Sequence, residues 1–450
     1  MRVTAALRNV IADPYEWLWS LNRDHLRHLA HRIGSNSADT KPMLIRRLRR
    51  DLHICEYRPA RLPDALDPTK PVQPQEMRVL SLDTNYQNVG YAHFVVPRDE
   101  RTNLEDPNRP LPSLTGWGSM DVKQMAELQR EPDPTQLSSP SKTGTKRLKE
   151  LDILHEQSVS GLATDAYARH AYNFVSSLFD AHNPTHVLIE RQRLHPKADI
   201  DAALRRGMFE GMISASVYAV QRERGLRPFI QAIDPVSVAA SIDLSLVPYV
   251  ESPKLIRKMV MNEPKRARVD LAGRWLVDWA VAHDNTANTN GLSIMDEVHQ
   301  AAGLDVEPEG TLRLPTPGAT LPTERANPDF YRKLRISAEH PAARDCAVQY
   351  LKDWHVQLMR GRAWEMTRAA GSIQKRRREA TRFQEHRGMY QLDDLAMSLV
   401  QGLVWLDWHV MRDRVNRFGR DGVQWSDRTN FGMEWDGWDG WQAGRRAVGK

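Results

Sequence analysis

Short apolar segments alternate with segments of helical periodicity between residues 78 and 233, and this alternation constrains the fold more than any other feature. Five segments are predicted as strands (78–85, 89–96, 114–120, 186–190, 229–233) and two as the helices that precede the last two strands (162–182, 202–224). One short turn separates the first two strands, which predicts a β-hairpin. The sequence therefore predicts an α/β fold, with a mixed five-stranded sheet flanked by helices.

Acidic residues end two of these strands and open a later helix. Asp83 ends the first strand, and Glu190 ends the fourth. A final helix, predicted over 392–411, opens with Asp393 and Asp394. If the first and fourth strands are neighbours, their two acids project from the same edge of the sheet. A helix packed across that edge then brings the aspartate pair beside them.

Carboxylates gathered in one cleft repel each other, so they persist where a divalent cation neutralises them or where their pKa values rise. Mg²⁺ prefers oxygen ligands. Two such ions ~3.5–4 Å apart stabilise both the attacking and the leaving oxygen of an in-line phosphoryl displacement. The pattern therefore favours a metal site for phosphodiester chemistry, in which no side-chain nucleophile is required.

Each acid also has a purely structural interpretation. Asp83 suits the turn that follows a strand. The aspartate pair suits the N-terminal end of a helix, where the dipole favours negative charge. Glu190 has Arg191 and Arg193 close by in the sequence as ion-pair partners. Taken together, at these places in this order of elements, the acids favour the metal site.

Residues 21–52 have the pattern of two short helices separated by a turn. Leucine and isoleucine recur at helical spacing on both sides of a Gly-Ser-Asn-Ser cluster, and the second helix is strongly basic. The pattern resembles a SAP domain, a two-helix DNA-binding module in which Lys41, Arg46 and Arg47 would contact DNA. A basic, solvated helix hairpin is the alternative interpretation.

Three segments of the chain carry a wider resemblance. They are Leu-Ser-Leu-Asp-Thr-Asn at 80–85 with Val-Gly-Tyr-Ala at 89–92, Ile-Glu-Arg-Gln-Arg at 189–193, and Leu-Asp-Asp-Leu-Ala-Met-Ser-Leu at 392–399. Together they resemble the fungal mitochondrial Holliday junction resolvases, which are relatives of bacterial RuvC. The resemblance implies an RNase H-like fold for the predicted sheet.

The resemblance also implies a function. A homodimer would bind a four-way DNA junction and, with Mg²⁺ or Mn²⁺, cut two strands of like polarity by paired phosphodiester hydrolysis. Asp83, Glu190 and the Asp393/Asp394 pair would be the catalytic metal ligands. The family carries a further acid about one turn into the last helix, and Met397 stands there in this chain.

The charge of the chain agrees with an anionic partner. The net charge is +6 and the pI is about 9.2, although ordinary surface charge is the alternative. Four arginines close in sequence to Glu190 are candidates for holding the DNA phosphate: Arg191, Arg193, Arg205 and Arg206. Because no Walker-type loop appears and no apolar run approaches ~18–20 residues, we expect neither a nucleotide cofactor nor a membrane partner.

Shifts in composition predict the domain organisation. The predicted parts are a SAP-like module at 1–57, a linker at 58–76, the first part of the core at 77–240, a helical insertion at 241–387, the last core helix at 388–415 and a flexible tail at 416–450. The resemblance implies a location in the mitochondrial matrix. Residues 1–12 contain arginines and no acid, which fits either a transit peptide or a first helix.

Two competing functions stay open at this stage. One is another RNase H-like nuclease, acting on RNA–DNA hybrids. The other is a catalytically weak junction- or DNA-binding protein, which the methionine at position 397 favours.

Overall fold

The computed structural model describes the following residues: 13–56, 76–84, 88–97, 111–121, 164–191, 200–226, 228–245, 264–286, 294, 298, 334–336, 339–369 and 378–423. They fall into two compact units. The larger unit lies within 60–403 and contains the sheet. The smaller unit combines the residues before position 60 with those after position 403.

The larger unit is built on one mixed six-stranded sheet. Its strands are β1 (Glu76–Thr84), β2 (Asn88–Pro97), β3 (Ser113–Asp121), β4 (His186–Glu190), β5 (Phe229–Ile233) and β6 (Arg335–Ile336). The order across the sheet is β5-β4-β1-β2-β3-β6. Strands β1, β2 and β3 pair antiparallel, whereas β4 pairs parallel with both β1 and β5. This mixed sheet, in a chain that alternates strands with helices, confirms the predicted α/β fold class.

The sheet differs from the prediction by one strand. All five predicted strands are present, and β4 is next to β1 as the argument from the acids requires. The sixth strand, β6, comes from the region predicted as an insertion and pairs parallel with β3. With only two residues it is too short to produce a periodic signal in the sequence.

Long helices accompany the sheet and form most of the smaller unit. They are α1 (Arg23–Arg32), α2 (Lys41–His53), α3 (Thr164–His182), α4 (Ile200–Glu223), α5 (Pro235–Ser245), α6 (Pro264–Thr286), α7 (Pro341–Ala369) and α8 (Arg378–Phe418). None of the described helices has an apolar stretch of the length that a bilayer span would need.

Opposite faces of the sheet meet different helices. Leu82 and Val89 lie in a buried cluster with apolar side chains of α3 and α4. Because side chains alternate along a strand, Ser81 and Gly90 lie on the other face. Helix α8 contacts that face, where Gln401 Nε2 donates a hydrogen bond of 3.1 Å to Ser81 Oγ. The sheet therefore has a helical layer on both sides.

The start of the last helix was predicted wrongly. Helix α8 begins at Arg378 rather than near Leu392, so Asp393 and Asp394 lie well inside it. Both aspartates are buried. The helix-dipole interpretation of this pair is therefore wrong, because the dipole acts only within the first turn.

The smaller unit contains the two predicted N-terminal helices, packed on the end of α8. Leu26 of α1 and Leu44 of α2 share a buried cluster with Met411 and Val415. Buried Arg412 donates to the backbone oxygens that end both helices: Nε and Nη2 to Ile33 O at 3.0 and 2.8 Å, and Nη1 to Ile54 O at 2.8 Å. The described helix pair thus shares its core with residues beyond 403, and the SAP assignment stays a prediction.

Arg412→Met is expected to destabilise the smaller unit by about 2 kcal/mol, because it leaves buried carbonyls without their charged donor. Hydrogen exchange of α1 and α2 measures the effect. Exposed Arg420→Met is the matched control and should leave exchange unchanged. Equal exchange in the two variants would contradict the capping role.

Candidate functional site

The pairing of β1 with β4 brings the first two acids together. Leu82 is the register partner of Ile189 in this parallel pair, so the next residues, Asp83 and Glu190, lie side by side at the same edge of the sheet, near the carboxyl ends of the two strands. The two carboxyl groups share a hydrogen bond. The predicted meeting of these two acids at one edge is therefore present in the structure.

A close approach of α8 to β2 brings Asp394 to the same edge. Gly90 is the register partner of Asp83 in the β1–β2 hairpin. A Cβ atom added at Gly90 would overlap the backbone carbonyl of Asp394, so no other residue type fits without moving the helix. Trp117 Nε1 of β3 donates a hydrogen bond of 3.1 Å to Leu395 O and fixes the helix at the adjacent residue.

The cluster is buried, and its charges interact strongly. Asp83, Asp393 and Asp394 are all less than a tenth exposed. Burial raises the pKa of Asp83 well above its usual range. The charge of Glu190, the hydrogen bond with Glu190 and the charges of Asp394 and Asp393 raise it further, in that order. The other three predicted acids thus all interact with Asp83.

Two cations that the sequence analysis did not assign to the site contact Asp393. Arg268 donates to Asp393 Oδ1 through Nε at 2.9 Å and Nη2 at 2.7 Å. Lys265 Nζ lies 3.1 Å from the other oxygen, Oδ2. Both come from the first turns of α6, inside the region predicted as an insertion. The sequence signal was a short basic run, Lys-Arg-Ala-Arg at 265–268, whose position in the fold was not predictable.

The donor set suits a hard divalent cation. Oxygen ligands from carboxylates are those that Mg²⁺ and Mn²⁺ prefer. Within the described part of the chain, no three His, Cys, Asp or Glu side chains are already grouped so that they could hold a metal ion. Metal binding would therefore require the carboxylates to turn toward a common point.

The arginines predicted to bind DNA near Glu190 are only partly described. Arg191 is exposed directly after β4, and its backbone N–H donates to Ile233 O at 2.8 Å. Arg206 is half-buried on α4. Arg193 and the side chain of Arg205 lie outside the described residues.

The predicted DNA-binding residues of the smaller unit differ in their surroundings. Arg46 is exposed on α2. Lys41 Nζ donates to Trp19 O at 2.9 Å, and Arg47 pairs with Asp39. Arg46 is thus the most accessible of these three candidates, and their contact with DNA stays a prediction.

A comparison with known families identifies the chain. The model of the family described as "Mitochondrial resolvase Ydc2 / RNA splicing MRS1" matches residues 79–415, well over half of the 450 residues. The chain belongs to this family. The matched range spans residues 241–387, the region predicted as a helical insertion, and this prediction stays a prediction. The resemblance to mitochondrial resolvases is confirmed.

Solved structures give two further similarities. The crystal structure of the yeast mitochondrial Holliday junction resolvase Ydc2 is 15% identical and covers 89% of this chain and 99% of its own, with a TM-score of 0.41. T. thermophilus RuvC in complex with a Holliday junction substrate is 13% identical and covers 41% of this chain and 79% of its own, with a TM-score of 0.20. Among curated proteins, no sequence matches the chain.

Gly90→Ala is expected to lower the free energy of unfolding by about 1–3 kcal/mol, because the added methyl forces α8 away from β2. Chemical denaturation measures this change. Gly118→Ala is the matched control in the same sheet, since its Cβ would meet only the Tyr91 side chain, which can move. A larger loss in the control would contradict the close approach at Asp394.

Asp83→Asn is expected to stabilise the metal-free protein at neutral pH. The pKa of Asp83 is raised by folding, so its contribution to stability is present below about pH 4 and is lost as the pH rises through the folded-state pKa. The melting temperature of the variant, measured with a chelator, should therefore exceed that of the wild type increasingly from acid to neutral pH. Asp180→Asn, at an exposed acid, should show no such trend. Parallel curves for Asp83→Asn and the wild type would contradict the buried-charge argument.

Proposed function

We propose that the chain is a divalent-metal-dependent endonuclease that resolves four-way DNA junctions. One observation carries the proposal: Asp83, Glu190 and Asp394 converge at one edge of an RNase H-like sheet, in a member of the mitochondrial resolvase family. Among its described members, the site contains no side chain placed as a nucleophile.

The carboxylates would hold Mg²⁺ or Mn²⁺, and the protein would supply their arrangement. When bound, the ion supplies Lewis-acid stabilisation of the phosphodiester and activation of water for its hydrolysis. Asp83 and Glu190 are fixed by the β1–β4 ladder, and Asp394 by the glycine contact with β2. Burial of the aspartates lowers the local dielectric and strengthens every charge interaction with the phosphate. Water adds to phosphorus and the 3′ oxygen leaves as a hydroxyl group.

The strand after Glu190 offers contacts to the DNA backbone. Arg191 follows the catalytic edge directly and is exposed, so it can reach a phosphate next to the scissile one. We assign the same role to Arg193, Arg205 and Arg206 on the basis of their sequence positions. Lys41, Arg46 and Arg47 of the smaller unit would bind a duplex arm of the junction.

We infer that the active form is a homodimer, because a junction needs two matching cuts. Helix α4 supports this inference. Between positions 204 and 218, the described exposed positions at helical spacing carry uncharged residues: Leu204, Gly207, Met208, Gly211, Ala215 and Tyr218. Small residues four apart allow two identical helices to cross closely, and the large apolar ones would be covered by the second copy. The mitochondrial matrix is the proposed location.

The test of the function is cleavage of a synthetic four-way junction, compared with duplex DNA and an RNA–DNA hybrid. We expect paired cuts in the junction with Mg²⁺ and none with a chelator. Asp83→Asn should lower the rate by more than about 100-fold and leave junction binding intact, since a lost metal ligand removes several kcal/mol of transition-state stabilisation. Preferred cleavage of the hybrid would contradict the proposed substrate.

A second candidate has a specific observation in its favour. Met397 is buried where resolvases of the resemblance carry a further acid, and the family description also names an RNA splicing protein. Junction binding without any cleavage, in wild type with Mg²⁺ or Mn²⁺, would favour this nucleic-acid-binding role over the nuclease.

Arg191→Ala is expected to weaken junction binding and to reduce the slope of log affinity against log salt by about 1, because one phosphate contact is lost. Gel-shift titrations at several salt concentrations measure the slope. Arg222→Ala is the control: Arg222 is also exposed but lies in the last turn of α4, near the opposite end of β4. An unchanged slope in Arg191→Ala would count against the contact.

Met208→Lys is expected to convert the dimer to a monomer, because it places a charge in the apolar face of α4. Sedimentation of the wild type and the variant measures the assembly state. The exposed position predicts unchanged stability of the fold, which melting curves check. A variant that still sediments as a dimer would exclude this face as the interface.

A further inference from the structure

Two buried hydrogen bonds from α7 hold the first turns of α6. Tyr350 Oη donates to Val269 O at 3.0 Å, and Trp354 Nε1 donates to Asp270 Oδ1 at 3.1 Å. A Cβ atom added at Gly273 of α6 would overlap the Trp354 indole, so the two helices meet closely at this glycine. The start of α6 is therefore fixed on α7 by side chains that come from α7.

The turns of α6 that α7 fixes are those that contact Asp393. Arg268 directly precedes Val269, and it donates to Asp393 Oδ1 through Nε at 2.9 Å and Nη2 at 2.7 Å. Lys265, three residues earlier, lies 3.1 Å from Asp393 Oδ2. A shift of these turns would move both cations relative to the carboxylate.

Trp117 connects the same α7 residue to α8. The indole of Trp117 and the ring of Tyr350 are both buried, with their centroids 5.1 Å apart. An aromatic pair at this separation attracts beyond the area that it buries. Trp117 Nε1 also donates at 3.1 Å to Leu395 O, next to Asp394. The aromatic pair therefore contacts α6 through Tyr350 and α8 through Trp117.

We propose that Tyr350 is a positioning residue of the acid site: its hydroxyl places the first turns of α6, and its ring, through Trp117, places them relative to α8, so that Arg268 meets Asp393. Tyr350 acts on the site through Arg268. For its effect on the reaction, this inference rests on the proposed function. Its substance is that a helix from the region predicted as an insertion determines the geometry at the sheet edge.

Hydrogen exchange tests the contact between α7 and α6. Tyr350→Phe removes the hydroxyl and keeps the ring on Trp117. We expect amides in the first turns of α6 to exchange at least about tenfold faster relative to those of α3, because a buried hydrogen bond is lost there. Tyr172→Phe is the matched control, since its hydroxyl bonds to Glu223 between α3 and α4, and it should leave α6 unchanged. The same α6 exchange in both variants would overturn the proposal.

A double-mutant cycle tests whether this contact reaches the ion pair. Arg268→Gln shifts the urea midpoint of the wild type, and we expect this shift to fall by at least about half in the Tyr350→Phe background, where the pair is already loosened. The Tyr172→Phe background should keep the full shift. Equal shifts in all three backgrounds would contradict coupling. If Arg268→Gln does not fold, Arg268→Lys takes its place, because it keeps the charge and loses the two-point contact.

Cleavage kinetics connect the contact to the reaction. Tyr350→Phe should slow single-turnover cleavage of a four-way junction by about tenfold and leave junction affinity within about twofold, because displaced groups act on the chemical step. Tyr172→Phe should change neither quantity. An unchanged rate in Tyr350→Phe would exclude a role in the reaction. If the wild type cleaves no junction, the proposed function fails, and the exchange and urea measurements still decide whether Tyr350 positions α6.

Discussion

Negative charge buried at one edge of the sheet is the constraint on which the rest of the structure depends. Parallel pairing of β1 with β4 forces Asp83 and Glu190 side by side, and burial makes their mutual repulsion costly. The guanidinium of Arg268 and the ammonium group of Lys265 offset part of this cost. The proposed divalent cation would compensate more of the negative charge.

The site also depends on glycines that let α8 lie close to the sheet. Gly90 lets the α8 backbone lie against β2. At Gly402 of α8, the Phe94 ring of β2 occupies the space that a Cβ atom would need. Trp117 and Gln401 add hydrogen bonds between the sheet and the helix. Together these contacts fix the depth and the rotation of α8, and so they decide which of two adjacent aspartates meets Asp83.

Several features were predictable from local sequence because their signal is local. The strands β1 to β5 show apolar runs of strand length, and the two N-terminal helices show helical periodicity around a turn. The start of α8 was not predictable in this way. Residues 378–391 are mostly polar in sequence, so apolar periodicity begins only at 392, whereas backbone hydrogen bonding extends the helix back to Arg378. Strand β6 lacked any local signal, and the basic run at 265–268 did not indicate that Arg268 contacts Asp393.

The sequence by itself indicated the kind of chemistry, a carboxylate site for metal-dependent phosphodiester hydrolysis. The acids at strand ends, the α/β order of elements and the family resemblance can all be identified from residue types and their spacing. Only the tertiary structure decided which partners each acid contacts. Asp393 and Asp394 are indistinguishable in the sequence, because what separates them is the approach of α6 from one side and of β2 from the other. Such contacts join residues more than a hundred positions apart, and a linear pattern carries no record of the distances between them.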